Sequence, residues 1–187
     1  MAKIVGIVQC RNEWGLLAVS VSHALVNYAS EVYVLDHASD DQSASGLSCL
    51  KDLWGDRLHV LHVGNIPFEQ SAMINTVIHL IDRSQPTWVH VFDADEFLLV
   101  QDGFSLAAEL DAQAEDVMSL FYPVENHVST LTFNENHLPD YARLRYKSEP
   151  SRRAIGHLAA EVIEAGAATF FDYPFPSKVL FRYSEGV

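Results

Sequence analysis

Basic residues are scarce in this chain of 187 residues, in which 12 Lys and Arg stand against 25 Asp and Glu, giving a formal charge of −13 at pH 7. A phosphate backbone rewards Lys and Arg, so nucleic acid is excluded as an expected partner. Any anionic small ligand must be neutralised locally. Cysteine is scarcer still. Cys10 and Cys49 are too few and too far apart for a disulfide framework or a Cys-rich zinc site, and they read as reduced, buried thiols. The chain shows no basic-then-apolar leader, and its longest apolar runs are much shorter than a bilayer span. Secretion and membrane insertion therefore lack support, and the expected location is cytoplasmic. No Gly- or Ser-rich linker, internal repeat or low-complexity tract interrupts it. The scattered histidines form neither a His-x-x-x-His pair nor a His-Glu-x-x-His site, so most are expected to be ordinary surface or half-buried residues. With 49% hydrophobic and 20% charged residues the composition is globular, and the length suits a single domain over residues 1–187.

What is present centres on Trp88–Leu99, WVHVFDADEFLL. Trp88, Val89, Val91 and Phe92 have strand character and run directly into Asp93, Ala94, Asp95 and Glu96. Alternation along a strand puts Asp93 and Asp95 on one side and Ala94 on the other. Two carboxylates held that close repel each other unless a cation sits between them. Oxygen-only ligands select a hard ion, Mg²⁺ or Mn²⁺, which keeps water or phosphate in its remaining positions. A phosphate-bearing substrate is the expectation, set against a plain strand end whose acids cap a helix or face solvent.

Lys3–Gln9 reads as a buried first strand ending at Cys10-Arg11-Asn12-Glu13, with Asn12 expected to cap a helix running to Ala29. Glu31–Asp36 is a second strand, and the loop His37-Ala38-Ser39-Asp40-Asp41 is rich in residues that bond their own backbone. An acid just after a second parallel strand is where ribose hydroxyls are often held, and Asp36 fits. A helix over Ser43–Trp54, a strand over Leu58–Val63 and a helix over Phe68–Asp82 follow. Three strand–helix alternations before the acidic cluster imply a mainly parallel sheet with helices on both faces.

The second half is less regular, with a short helix over Leu106–Ala112, a strand over Val117–Pro123, and further candidate strands over Thr130–Phe133, Tyr141–Tyr146 and Val179–Tyr183. It is expected to elaborate the same domain, with residues 1–100 as a nucleotide-binding half and 101–187 as an acceptor-side half. A strand-like segment four residues before the last one implies either a truncated domain or a final strand tied into the sheet.

Four segments in order, Arg11-Asn12-Glu13, Asp36-His37-Ala38-Ser39-Asp40-Asp41, Asp93-Ala94-Asp95-Glu96-Phe97-Leu98 and Lys178-Val179-Leu180-Phe181-Arg182, resemble the family 2-like glycosyltransferases, in the branch with an Arg-Asn-Glu start and an Asp-x-Asp-Glu-Phe core. The resemblance implies a three-layer α/β nucleotide-diphospho-sugar transferase-like fold with a central, mainly parallel mixed sheet. It also implies a nucleotide-sugar donor, a carbohydrate or other hydroxyl acceptor, and Mn²⁺ or Mg²⁺. Carried over, it places Arg11, Asn12 and Glu13 at the nucleotide end of the cleft and Asp36 near the base or ribose. Asp93 then approaches the ribose or metal, Asp95 holds the metal against the diphosphate, and Lys178 and Arg182 either neutralise phosphate or, as an alternating pair four apart on a strand, form a solvated face. Gln70 and Asn75 fall where donor contacts occur in the family, although a helix surface suits them better. Glu125 and Asp172 are candidates for a catalytic base only by lying in the variable half.

Two other classes compete with sugar transfer. A nucleotidyltransferase needs a Gly-rich basic loop after its first strand, and Gln9–Gly15 offers one basic residue and one Gly. A non-catalytic domain that binds sugar nucleotides keeps the sheet without the chemistry. A haloacid-dehalogenase-type phosphatase is disfavoured because its Asp-x-Asp follows the first strand.

Overall fold

The computed structural model describes residues 1–64, 69–82, 84–125, 127–128, 146–147, 163–166 and 176–183. They fall into two compact units, Met1–Leu120 with Leu180–Val187, and Phe121–Val179.

The first unit alternates β1 (Lys3–Cys10), α1 (Trp14–Asn27), β2 (Glu31–His37), α2 (Ser43–Trp54), β3 (Leu58–Val63), α3 (Gln70–Ile78) and β4 (Thr87–Asp93), followed by α4 (Leu106–Asp111). The sheet has six strands in the order β3-β2-β1-β4-β8-β5, with β5 spanning Ser119–Tyr122 and β8 spanning Lys178–Tyr183. β1 pairs in parallel with β2 and β4, β2 pairs in parallel with β3, and β8 runs antiparallel to β4. The expected mixed, mainly parallel α/β sheet is therefore present. In the second unit β6 (His127–Val128) pairs antiparallel with β7 (Tyr146–Lys147). The expected strands at Thr130–Phe133 and over 141–145 lie outside the described residues.

Period-2 alternation builds the three layers. Val8, Cys10, Val32, Val34 and Phe92 face a core shared with Leu17, Val21, Ala24 and Leu25 of α1 and Leu47 and Leu50 of α2. Val5, Ile7, Tyr33, Leu35 and Val89 face the opposite way, onto Met73 and Val77 of α3 and on to Ile81. Near-continuous apolar runs in β1, β2 and β4 follow from burial on both faces. α1 ends two residues before the expected Ala29 because the N–H groups of Tyr28 and Ala29 both return to the Ala24 carbonyl. The guanidinium of Arg57 then caps the carbonyls of Leu25 and Ala29, a cation at a helix C-terminus. α3 is shorter than its apolar spacing predicts, since Leu80 and Ile81 close tighter turns onto Val77 and Ile78. Phe68 lies outside the described residues.

α1 and α2 meet through a glycine. A Cβ built on Gly46 falls 2.3 Å from the indole of Trp14, so only Gly allows this approach. Cys10 is buried as expected, but Cys49 is exposed on α2. No helix among the described residues is long and apolar enough to cross a membrane.

Candidate functional site

The strand order turns at β1, with β2 and β3 on one side and β4 on the other. Open α/β sheets bind ligands at such a point, outside the carboxyl ends of the strands. A cleft of about 410 Å³ lies there, lined by Gln9, Cys10, Arg11 and Glu13 from the end of β1 and its loop, His37 from β2, Gln70 from α3, and Asp93 and Ala94 from β4. Its size suits a small-molecule ligand.

Two connections are locked together beside it. Asn12 sits in the left-handed region, φ 58°, which Asn tolerates better than most residues. Its N–H donates to Ser39 Oγ at 3.0 Å, its Nδ2 donates to Asp40 Oδ1 at 2.7 Å, and its Oδ1 accepts the Asp40 N–H at 2.9 Å. The expectation that Asn12 caps α1 is corrected: Glu13 occupies the N-cap without a side-chain cap bond, and the Asn12 side chain reaches across to the loop after β2. Asp41 takes up the role from that loop. Partial desolvation acts to raise its pKa, but the Ser43 hydroxyl, the Ser43 N–H at 2.8 Å and the Trp14 N–H outweigh it and hold the carboxyl below its ordinary value. A depressed carboxylate stabilises the fold above the unfolded pKa of about 3.9, and that stability is lost as pH falls through the lower folded value. Asp41→Ala is therefore expected to cost about 0.5–1 kcal/mol at pH 7, the low end of a lost cap because solvent screens this exposed carboxylate, with the difference from wild type shrinking in acid when urea melts are compared across pH.

At the end of β2, Asp36 is buried. Its Oδ1 accepts the Ser39 N–H at 3.2 Å and its Oδ2 meets His62 Nδ1 at 3.0 Å. The residue that lines the cleft from this strand is its neighbour His37, itself buried. Ala38 follows at φ 54°, a left-handed conformation that strains a residue with a Cβ.

The end of β4 forms a closed turn. Glu96 N–H donates to the Asp93 carbonyl at 2.9 Å, and the Asp93 N–H donates to Glu96 Oε2 at 3.0 Å. Ala94 is buried while Asp93 and Asp95 are exposed, as alternation predicts. Asp95 makes no hydrogen bond or ion pair with any described residue. Behind the turn, His23 Nε2 meets the Leu98 carbonyl at 3.0 Å, and its ring stands edge-on to Phe97. Asn27 Nδ2 lies 3.1 Å from His23 Nδ1, making that nitrogen the acceptor and leaving the proton on Nε2.

The electrostatics of the cleft are acidic. Surrounding protein removes part of the hydration of Glu13 even though its surface is open, and the charges of Asp95 and Asp93 add to this, so its pKa lies above the ordinary carboxylate value. Burial, then the fields of Asp36, Glu13 and Asp41, pushes the Cys10 thiol up to about 12, which makes it inert as a nucleophile. Arg11 supplies the positive charge. Lys3 pairs with Glu31, while Lys51, Arg57 and Arg182 bind backbone carbonyls. Arg11 alone among the described cations of this unit lines the cleft, and its guanidinium has no partner among the described residues.

A divalent cation would meet oxygen ligands here. Among the described residues no three His, Cys, Asp or Glu side chains converge closely enough to hold a metal unaided. Asp93 and Asp95 are exposed carboxylates at the end of β4, the donor type that a hard ion takes when water or phosphate would fill its other positions.

Arg182 is not brought to the cleft. It pairs with Trp88 on β4, about 16 Å along the strand from Asp93. Its guanidinium stacks 5.0 Å from the Trp88 ring and donates to the carbonyls of Glu115 and Gln113. Lys178 starts β8 within the second unit, where Glu125 also lies, exposed and 3.9 Å from His127. Asp172 is outside the described residues. Gln9 and His37 line the cleft without belonging to the expected site, and Gln70, expected on a helix surface, lines it too. The signal for the first two was the apolar alternation itself, since each continues the row of its strand that faces α3.

No protein-family model and no curated protein sequence matches the chain. Among solved structures it is similar to a mannosyltransferase from Pyrobaculum calidifontis in complex with GDP-Man and Mn²⁺, with 21% identity over 63% of this chain and 34% of that one, at a TM-score of 0.49. It is also similar to TarS from S. aureus, with 17% identity over 51% of this chain and 17% of that one, at a TM-score of 0.41. A third is TarS 1-349 in complex with UDP-GlcNAc, with 16% identity over 51% and 27% of the two chains, at a TM-score of 0.37. The chain spans about a third or less of the length of each of these proteins.

Proposed function

We propose that the cleft binds a nucleotide-diphospho-sugar together with Mn²⁺ or Mg²⁺, and that the protein transfers the sugar to an acceptor hydroxyl. One observation carries this: the switch point of the sheet brings Arg11, whose guanidinium has no partner among the described residues, into the same cleft as Asp93, with Asp95 exposed on the adjoining turn. A ligand with a compact negative charge is complementary to that set only if a cation accompanies it.

Each residue then has a task. Arg11 binds the diphosphate through its forked donors. Asp93 and Asp95 hold the cation, Asp93 also lying where a ribose can approach, and Glu13 adds negative potential to its side of the cleft. Asn12 acts indirectly, fixing the loop that carries Arg11. When bound, the metal supplies Lewis-acid stabilisation of the charge that grows on the leaving nucleoside diphosphate. An inverting transfer also requires a carboxylate to take the acceptor's proton.

Calorimetry of the chain with UDP and GDP, each with and without Mn²⁺, tests the proposal, and binding that depends on the metal is expected for at least one. Arg11→Ala should weaken that binding about 10- to 100-fold, the loss of one or two charge-assisted hydrogen bonds, with the melting temperature unchanged. No binding of either diphosphate, or an unchanged affinity in the variant, would overturn it. Binding without transfer or hydrolysis of any sugar nucleotide would identify a non-catalytic domain instead.

A further inference from the structure

The acid that sequence assigns to the base or ribose faces the wrong way. Cys10 pairs with Asp36 across β1 and β2, and Cys10 belongs to the core beneath α1 and α2. Strand alternation therefore turns Asp36 toward that layer, where its two oxygens engage Ser39 and His62. Of the strand residues that line the cleft, Gln9, His37 and Asp93 come from the other row. Val5 and Ile7 face α3, and Gln9 is the next residue of their row. Gln9 sits directly opposite Asp93 in the β1–β4 register.

Gln9 has an unusual amide. Its Nε2 donates to the Gln70 carbonyl at 3.4 Å, which fixes the amide's orientation, because a carbonyl can accept only from the nitrogen end. Its Oε1 is left buried with no hydrogen-bond partner among the described residues. A buried acceptor in that state penalises the unliganded protein, and native structures seldom keep one without a reason. A donor arriving with the ligand would remove the penalty, and the gain would appear as affinity and selectivity.

On the reading of the cleft as a nucleotide site, we propose that Gln9, and not Asp36, determines which nucleoside binds, by accepting a ring N–H of the base through its Oε1. The chemistry is a lactam edge, in which a ring N–H adjoins a carbonyl. Uracil at N3 and guanine at N1 present it, whereas cytosine and adenine have an acceptor nitrogen in the same place. Gln9 thus selects UDP or GDP over CDP and ADP, and the two favoured bases are told apart by direct comparison.

The experiment is calorimetry of the full chain with UDP, GDP, CDP, ADP and inorganic pyrophosphate, all in Mn²⁺. Wild type should prefer a lactam nucleotide. Gln9→Leu should reduce that preference about tenfold while leaving pyrophosphate affinity unchanged and the melting temperature no lower. Gln9→Met, nearer in length, repeats the test should Leu disturb the strand. Asp36→Asn should lower the melting temperature and keep the nucleotide preference. Wild-type preference in both Gln9 variants, or its loss in Asp36→Asn at unchanged stability, overturns the assignment. Pyrophosphate binding without discrimination among bases defeats this inference alone, and absence of all binding defeats the nucleotide site with it.

Discussion

Replacing Asp95 by Ala is expected to bring nucleoside diphosphate affinity in Mn²⁺ down to the level measured without metal, while the fold stays as it is. The two halves of this expectation have separate causes. Asp95 is exposed and has no hydrogen bond or ion pair with any described residue, so its loss should change stability by no more than about 0.5 kcal/mol. The turn that presents it is closed by Glu96 and the Asp93 backbone, neither of which the substitution touches. Ligation is a different matter. With no third side chain among the described residues converging on the pair, removal of one carboxylate leaves a hard cation too few protein oxygens to compete with bulk water. Calorimetry with and without Mn²⁺, alongside a thermal melt, reads both halves. Metal-dependent affinity that survives in the variant would move the cation elsewhere.

The largest effect on stability is expected at Gly46. By helix propensity alone Gly→Ala should stabilise α2 by about 0.8–1.0 kcal/mol. The new methyl instead falls 2.3 Å from the Trp14 ring, and Trp14 is packed against the core beneath α1 and α2. Overpacking of this kind costs about 1–3 kcal/mol, occasionally more, and the backbone-bound Cβ cannot rotate away. A net loss of about 2 kcal/mol is expected, equivalent to about 4–8 °C in melting temperature for a chain of this size. The sign decides the matter, since propensity and packing predict opposite shifts. Trp14→Leu in the Gly46→Ala background should recover much of the loss, and a double-mutant cycle measures that coupling. Because Trp14 directly follows Glu13, the same variant should also weaken nucleotide binding.

The layered sheet was legible in the sequence because burial on both faces leaves β-branched runs, and helices between them carry apolar residues at helical spacing. Asp93, Ala94 and Asp95 were legible for a related reason. Alternation continues through the turn, burying Ala94 and exposing its neighbours. The same rule at the end of β2 sets Asp36 and His37 on opposite faces and sends His37 to the cleft, a parity that the chemistry of an acid beside a ribose does not reveal. Arg182 misled because spacing along a strand says nothing about which end of the sheet an antiparallel return places it at. It lies beside Trp88, at the start of β4, with carbonyls as partners. Asn12 has the sequence position of a local cap, whereas its partners Ser39 and Asp40 follow a different strand, a contact that no local spacing encodes.

The union of Asn12 with Ser39 and Asp40, and of Trp14 with Asp41, has a consequence for how this protein can change. Two connections distant in the chain share one ruler: a residue inserted into or deleted from either would leave the other's amides facing nothing. Length variants here should be tolerated only as matched pairs, which makes the corner between α1 and α2 a poor place for grafting loops and a sensitive reporter of whether a redesigned relative has kept its register.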